Sequence, residues 1–152
     1  MQYTPLKDKK LEDVGNTLRL EARDAGHIEI VDIDGKGPYR YHADHFHFHS
    51  PAEHTLNGER YDMELHIVHE LVDGPDFANY HEKFCVLGLL FQISDTNHPF
   101  VEQLNASDIE NIEHADFNLL FENEAKPKFF HYKGSLTTPP CTDVVNWFVY
   151  SQ

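Results

Sequence analysis

From His45 to His49 the chain alternates imidazole and phenyl side chains, His45-Phe46-His47-Phe48-His49, a strict period of two that fits an extended strand with two chemically different faces. On such a strand His47 and His49 share one face and look into a pocket, while Phe46 and Phe48 point to the other. A second run, Glu64-Leu65-His66-Ile67-Val68, alternates in the same way. Between the two runs lies Asn57-Gly58, a dipeptide favoured where both central residues of a turn need positive φ. It predicts that the second strand folds back antiparallel and brings His66 beside the pair.

Three neutral imidazoles suit zinc at about 2.0–2.1 Å each, and a tetrahedral ion so bound keeps its fourth position for water. An open position points to catalysis rather than scaffolding. A chain with 12 histidines places several near one another by chance. His27, His42, His69, His81, His98, His114 and His131 are read in that way, as ordinary core or surface residues.

Strands are expected at Thr17 to Ala22, His27 to Ile33, His45 to His49, Met63 to Glu70, Phe84 to Gln92, Lys128 to Tyr132 and Val144 to Tyr150, most of them rich in β-branched or aromatic residues. Short helices are expected at Pro99 to Leu104, after a capping Asn97, and at Asp116 to Phe121. The pattern is mainly β within an α+β class: a twisted, largely antiparallel sheet with short peripheral helices. No repeat or interior linker divides residues 1–152, so a single domain is the economical reading. No apolar run approaches the length of a membrane span, and a formal charge of −14 disfavours nucleic acid as a partner.

The order of these residues resembles the α-class carbonic anhydrases, whose hallmark runs Phe-His-Phe-His, Glu-His-Thr and Glu-Leu-His-x-Val-His. Here it stands as Phe46 to His49, Glu53-His54-Thr55 and Glu64 to His69. A second hallmark stands as Gly134-Ser135-Leu136-Thr137-Thr138-Pro139-Pro140-Cys141, followed by Asn146-Trp147. The resemblance runs from about Gly15 to the end, and Ser50-Pro51-Ala52-Glu53-His54 is closer to bacterial, plant or protist members than to vertebrate cytosolic ones.

The resemblance implies reversible hydration of CO2 to bicarbonate and a proton by zinc-hydroxide attack, with His47, His49 and His66 as the zinc ligands. Thr137 would accept the hydroxide's hydrogen bond and Glu53 would accept from Thr137, aiming a lone pair at the substrate carbon. Thr138 would sit beside bicarbonate. Glu64 would orient His66, and His45 and His54 complete the outer shell. The apolar substrate wall maps to Val68, Val86, Leu136, Val145 and Trp147. Strand alternation supports part of this independently, since Val68 shares a face with His66, and Val145 shares one with Trp147. Two other readings exist. In a cupin-like metal-binding barrel Glu53 would be a direct ligand, but Glu64 and the Leu136 to Pro140 segment would have no role. A non-catalytic zinc-binding relative would keep the shape without turnover.

The chain departs from the family in three places. Asn16 stands where efficient members carry a histidine proton shuttle, and it cannot titrate near neutrality. His45 replaces a glutamine that usually supports the first ligand. Segments that the family carries at both ends have no counterpart here, so the domain is expected to be incomplete at both termini, with unpaired sheet edges that favour self-association. Cys141 matches a disulfide half-cystine of exported members, whose partner belongs to the missing N-terminal segment, and Cys85 is read as a buried hydrophobe, so the two are not expected to pair. Localisation is not legible in the chain itself, but a longer parent is expected to be secreted or periplasmic.

Overall fold

The computed structural model describes residues 1–15, 17–31, 35–105, 111–121 and 128–151, without the side chains of Asn105 and Ser151. The shuttle position Asn16 and the expected strand end Ile33 lie outside the described residues. The chain runs through β1 (Gln2–Tyr3), β2 (Leu6–Lys9), β3 (Leu11–Asp13), β4 (Leu18–Glu21), β5 (Gly26–Ile30), β6 (Tyr39–His49), β7 (Thr55–Leu56), β8 (Glu59–Arg60), β9 (Met63–Asp73) and β10 (Phe84–Phe91). Helix α1 (Pro99–Asn105), β11 (Ile112–Ala115), a 3₁₀ turn (Phe117–Leu120), β12 (Lys128–Gly134) and β13 (Val145–Ser151) complete it. Asp116 caps the 3₁₀ turn by accepting from the Asn118 N–H. Among the described residues no helix is long and apolar enough to cross a membrane.

A nine-stranded sheet carries the molecule, in the order β1-β5-β6-β9-β10-β13-β12, with β4 pairing with both β3 and β6. All of its pairings are antiparallel except β10 with β13. The two histidine strands are direct neighbours in the register His47 opposite His66 and His49 opposite Glu64. Asn57 and Gly58 take φ values of 53° and 84°, as a two-residue turn of this kind requires. That turn closes the small β7–β8 hairpin rather than joining β6 to β9 directly.

The alternation along β6 is broken once, with consequences for the site. Tyr39, Tyr41 and Ala43 are buried in the main core, and so is Phe46, which means the inward phase passes from odd to even residues. The change falls at a register shift between Ala43 and His45, where Asp44 is the extra residue. Without that bulge His45, His47 and His49 would continue on the core face of Tyr41. With it they turn to the opposite face, and Phe46 packs edge-on against Phe100 and Phe117.

The sheet is therefore covered on one side by an apolar core under α1 and the 3₁₀ turn, built from Leu20, Phe46, Leu65, Ile67, Leu87, Phe100 and Phe117 among others. On its other side Val68, Val86, Val145 and Trp147 form a smaller cluster, with Phe84, Leu136 and Val144 packed against it. Strands β9 and β10 read as near-continuous buried runs because both of their faces are covered.

Candidate metal centre

His47, His49 and His66 meet on the face opposite the main core. Each offers a ring nitrogen, and these nitrogens lie within 4.8 Å of one another. The ring centroids stand 4.9 Å (His47–His49), 5.2 Å (His47–His66) and 4.7 Å (His49–His66) apart. His49 Nε2 is buried with no hydrogen-bond partner, and the nearest carboxylate oxygen, Oε2 of Glu53, lies 3.5 Å from it. An unsatisfied lone pair in the interior is costly in a protein without a ligand for it, and a cation resolves it. Burial first, and then the neighbouring His66, pushes the His47 imidazole down to about 3. Burial likewise lowers His49. Neutral imidazoles are the form that binds metal, so the donor set fits a zinc-type ion.

Glu64 organises the third ligand. Its carboxylate is fully buried, and it accepts four hydrogen bonds: from His66 Nε2 at 2.8 Å and His54 Nδ1 at 2.5 Å on one oxygen, and from the backbone N–H groups of Glu53 and His54 at 2.9 and 2.8 Å on the other. Burial alone would raise this carboxyl, but the bonds from His54 and His66 outweigh it and hold the group well below the usual carboxylate range. Because a carboxylate can only accept, the His66 proton sits on Nε2, and Nδ1 is left as the lone pair for a metal. The same reasoning puts the His54 proton on Nδ1. His54 Nε2 then accepts from the Tyr132 hydroxyl at 2.6 Å. Burial, together with the charges of Glu64 and Glu53, pushes that phenol up to about 12.

A cavity of about 560 Å³ opens above the three histidines. Val68, Val86, Leu136 and Trp147 line one side of it, while Val145 is fully buried behind them. Trp147 stands edge-on to His66 at 4.9 Å and is held by its indole N–H on the Ser135 carbonyl at 3.1 Å. Thr137 and Thr138 line the rim and are exposed. Thr137 and Glu53 are not joined by a hydrogen bond among the described residues. His45 stacks on His47 at 5.2 Å and bonds through Nδ1 to Asp44 Oδ2 at 2.8 Å.

A family model for eukaryotic-type carbonic anhydrase matches residues 1–152. The chain belongs to the α-carbonic anhydrase family. Alpha carbonic anhydrase 7 of Arabidopsis thaliana is 33% identical over 155 residues, covering 97% of this chain and 50% of its own length. The α-carbonic anhydrase of Photobacterium profundum superposes with a TM-score of 0.75 at 27% identity, covering 99% of this chain and 64% of that one. A dioscorin solved in complex with ascorbate superposes with a TM-score of 0.77 at 29% identity, over 99% of this chain and 60% of that one. The chain thus spans about half the length of this curated carbonic anhydrase. Carbonic anhydrase membership removes the cupin reading. Several members of the site were not legible beforehand, three of them close to its geometry. Tyr132 reaches His54 from a strand 78 residues away, Gly88 lies opposite His66, and Arg19 lines the cavity.

Proposed function

We propose that this chain is a zinc-dependent carbonic anhydrase that hydrates CO2 reversibly to bicarbonate and a proton. His47 and His49 would hold the ion with their free ring nitrogens, and His66 with Nδ1. Bound zinc would supply a Lewis acid that makes water ionise near neutral pH. The protein's own work is positional. Glu64 keeps the His66 proton on Nε2, so that Nδ1 always faces the site. Thr137 at the rim offers a hydroxyl that can accept a hydrogen bond from the attacking water-derived group and orient it. Val68, Val86, Leu136 and Trp147 give CO2 an apolar surface, and Thr138, on the same cavity, would sit beside the bicarbonate product. The observation that carries this reading is the buried, unpartnered His49 Nε2 facing two other histidines.

Metal analysis of purified protein and point variants tests the ligand set. The parent should hold one zinc. His66→Ala should lose tight binding, because two imidazoles leave the tetrahedral site short of protein ligands, whereas Glu53→Gln should keep the metal. Zinc loss in Glu53→Gln would make that carboxylate a ligand and overturn the assignment. A second reading, a zinc-binding relative without turnover, is favoured by one observation: Thr137 and Glu53 are not hydrogen-bonded, so the orienting relay is open. Sulfonamide affinity separates the two readings, because Thr137→Ala should weaken it if the Thr137 hydroxyl is engaged.

A further inference from the structure

The cavity wall nearest β4 carries a charge beside the histidines and opposite in kind to the apolar wall. Arg19 pairs with His47 across β4 and β6, and directly opposed residues in adjacent strands put their side chains on one face. Its neighbour Leu20 is fully buried on the other face, in the core that holds Phe46. Arg19 therefore projects into the cavity beside His47, with its side chain 35% exposed. The bulge in β6 sets Asp44 close by, but the contact is poor. Arg19 Nη2 lies 3.3 Å from Asp44 Oδ2, against about 2.7–2.9 Å for a strong charge-assisted bond. That oxygen already bonds His45 Nδ1 at 2.8 Å, and Asp44 Oδ1 accepts from Arg23 Nε at 3.0 Å. One carboxylate is shared by two guanidiniums and an imidazole, and Asp44 is the only carboxylate among the described residues lining the cavity.

We infer that Arg19 is the oxyanion-recognising group of this cavity, taking a small planar carboxylate-type anion, bicarbonate first, in competition with Asp44. Only the choice of bicarbonate rests on the proposed CO2 chemistry; the contact itself does not. The cavity then has two unlike walls. Val68, Val86, Leu136 and Trp147 suit an apolar molecule, and the planar fork of Arg19 matches the two oxygens of an anion. A chain of net charge −14 repels small anions at a distance, so a cation in the wall is where such an ion can be held.

The test uses metal-free protein, so that it does not depend on turnover. Bicarbonate is titrated at constant ionic strength, with chloride as the control, while amide resonances of residues 17–19 and 45–47 are followed by NMR. The parent should respond saturably to bicarbonate and not to chloride. Arg19→Gln should weaken the response by roughly fivefold, the scale of one partly exposed ion pair. Arg19→Lys should restore part of it, and Asp44→Asn should strengthen it by releasing the guanidinium. No saturable response in the parent, or one undiminished in Arg19→Gln, would overturn the inference. A zinc-loaded protein that fails to hydrate CO2 would count against the catalytic reading and leave the outcome of this titration unchanged.

Discussion

Glu64 does more than any other single residue to shape the centre, because all of its acceptor capacity is spent on fixing neighbours. Glu64→Gln keeps the shape but adds an N–H donor where four donors converge, so one partner must be lost. Zinc affinity should fall by about 10–100-fold, the usual cost of losing such a supporting partner, as read by competition with a chelator. The sequence already showed Glu64 two residues before His66, and in a strand that spacing puts both on one face. His54 and Tyr132 were not legible as a relay, since their meeting depends on contacts that no local pattern encodes. His69 is a residue-scale case outside the site. Its Nδ1–H donates to the Cys85 carbonyl at 3.2 Å, and Nε2 accepts from the Tyr3 hydroxyl at 2.8 Å. Burial pushes this imidazole down to about 4. An unfolded histidine takes its proton near 6.5, so as pH falls from 6.5 to 4 the unfolded state binds more protons; His69 alone should withdraw on the order of 3 kcal/mol of stability, and His47, lowered by burial to about 3, adds to the loss. The urea midpoint of metal-free protein should drop across that window, and His69→Gln should flatten the slope.

At the scale of elements, the bulge at Asp44 decides which way the histidines face. The alternation in His45 to His49 was legible and correct, but β6 begins at Tyr39 with the opposite phase, and nothing in composition marks the extra residue. Neighbouring β10 shows how closely the sheet is fitted to the centre. Gly88 lies opposite His66, and a Cβ there would sit 2.9 Å from Glu64 Oε1 and 3.9 Å from His66 Cδ2. The carboxylate cannot yield without giving up its donors. Gly88→Ala should therefore cost about 1–3 kcal/mol in thermal or chemical denaturation, and weaken zinc binding in parallel. An unchanged metal affinity would mean that Glu64 has slack that its hydrogen bonds do not suggest. The short strands β1, β2, β3, β7, β8 and β11 were missed because two to four residues carry too little periodicity to register.

For the whole molecule, the class and main strands were readable from alternation, while the parallel pairing of β10 with β13 was not, since it is set by the long connection between them. Strand β12 ends the sheet order and exposes Phe129, Phe130 and Tyr132 by 48%, 55% and 42%. An aromatic edge of this kind invites pairing with a second copy. Sedimentation should show concentration-dependent association of the 152-residue chain, reduced in Phe130→Lys; a monodisperse parent would show that the edge is tolerated. How far the framework holds the centre in working geometry is a catalytic question, because a displacement of about 1 Å can cost on the order of a hundredfold in rate. The decisive measurement is stopped-flow CO2 hydration with zinc determined on the same sample, for the parent and for His66→Ala. Hydration above the buffer rate that scales with zinc content, and vanishes in His66→Ala, is the predicted result. Stoichiometric zinc with no hydration above the buffer rate would contradict it and leave a metal-binding relative without turnover.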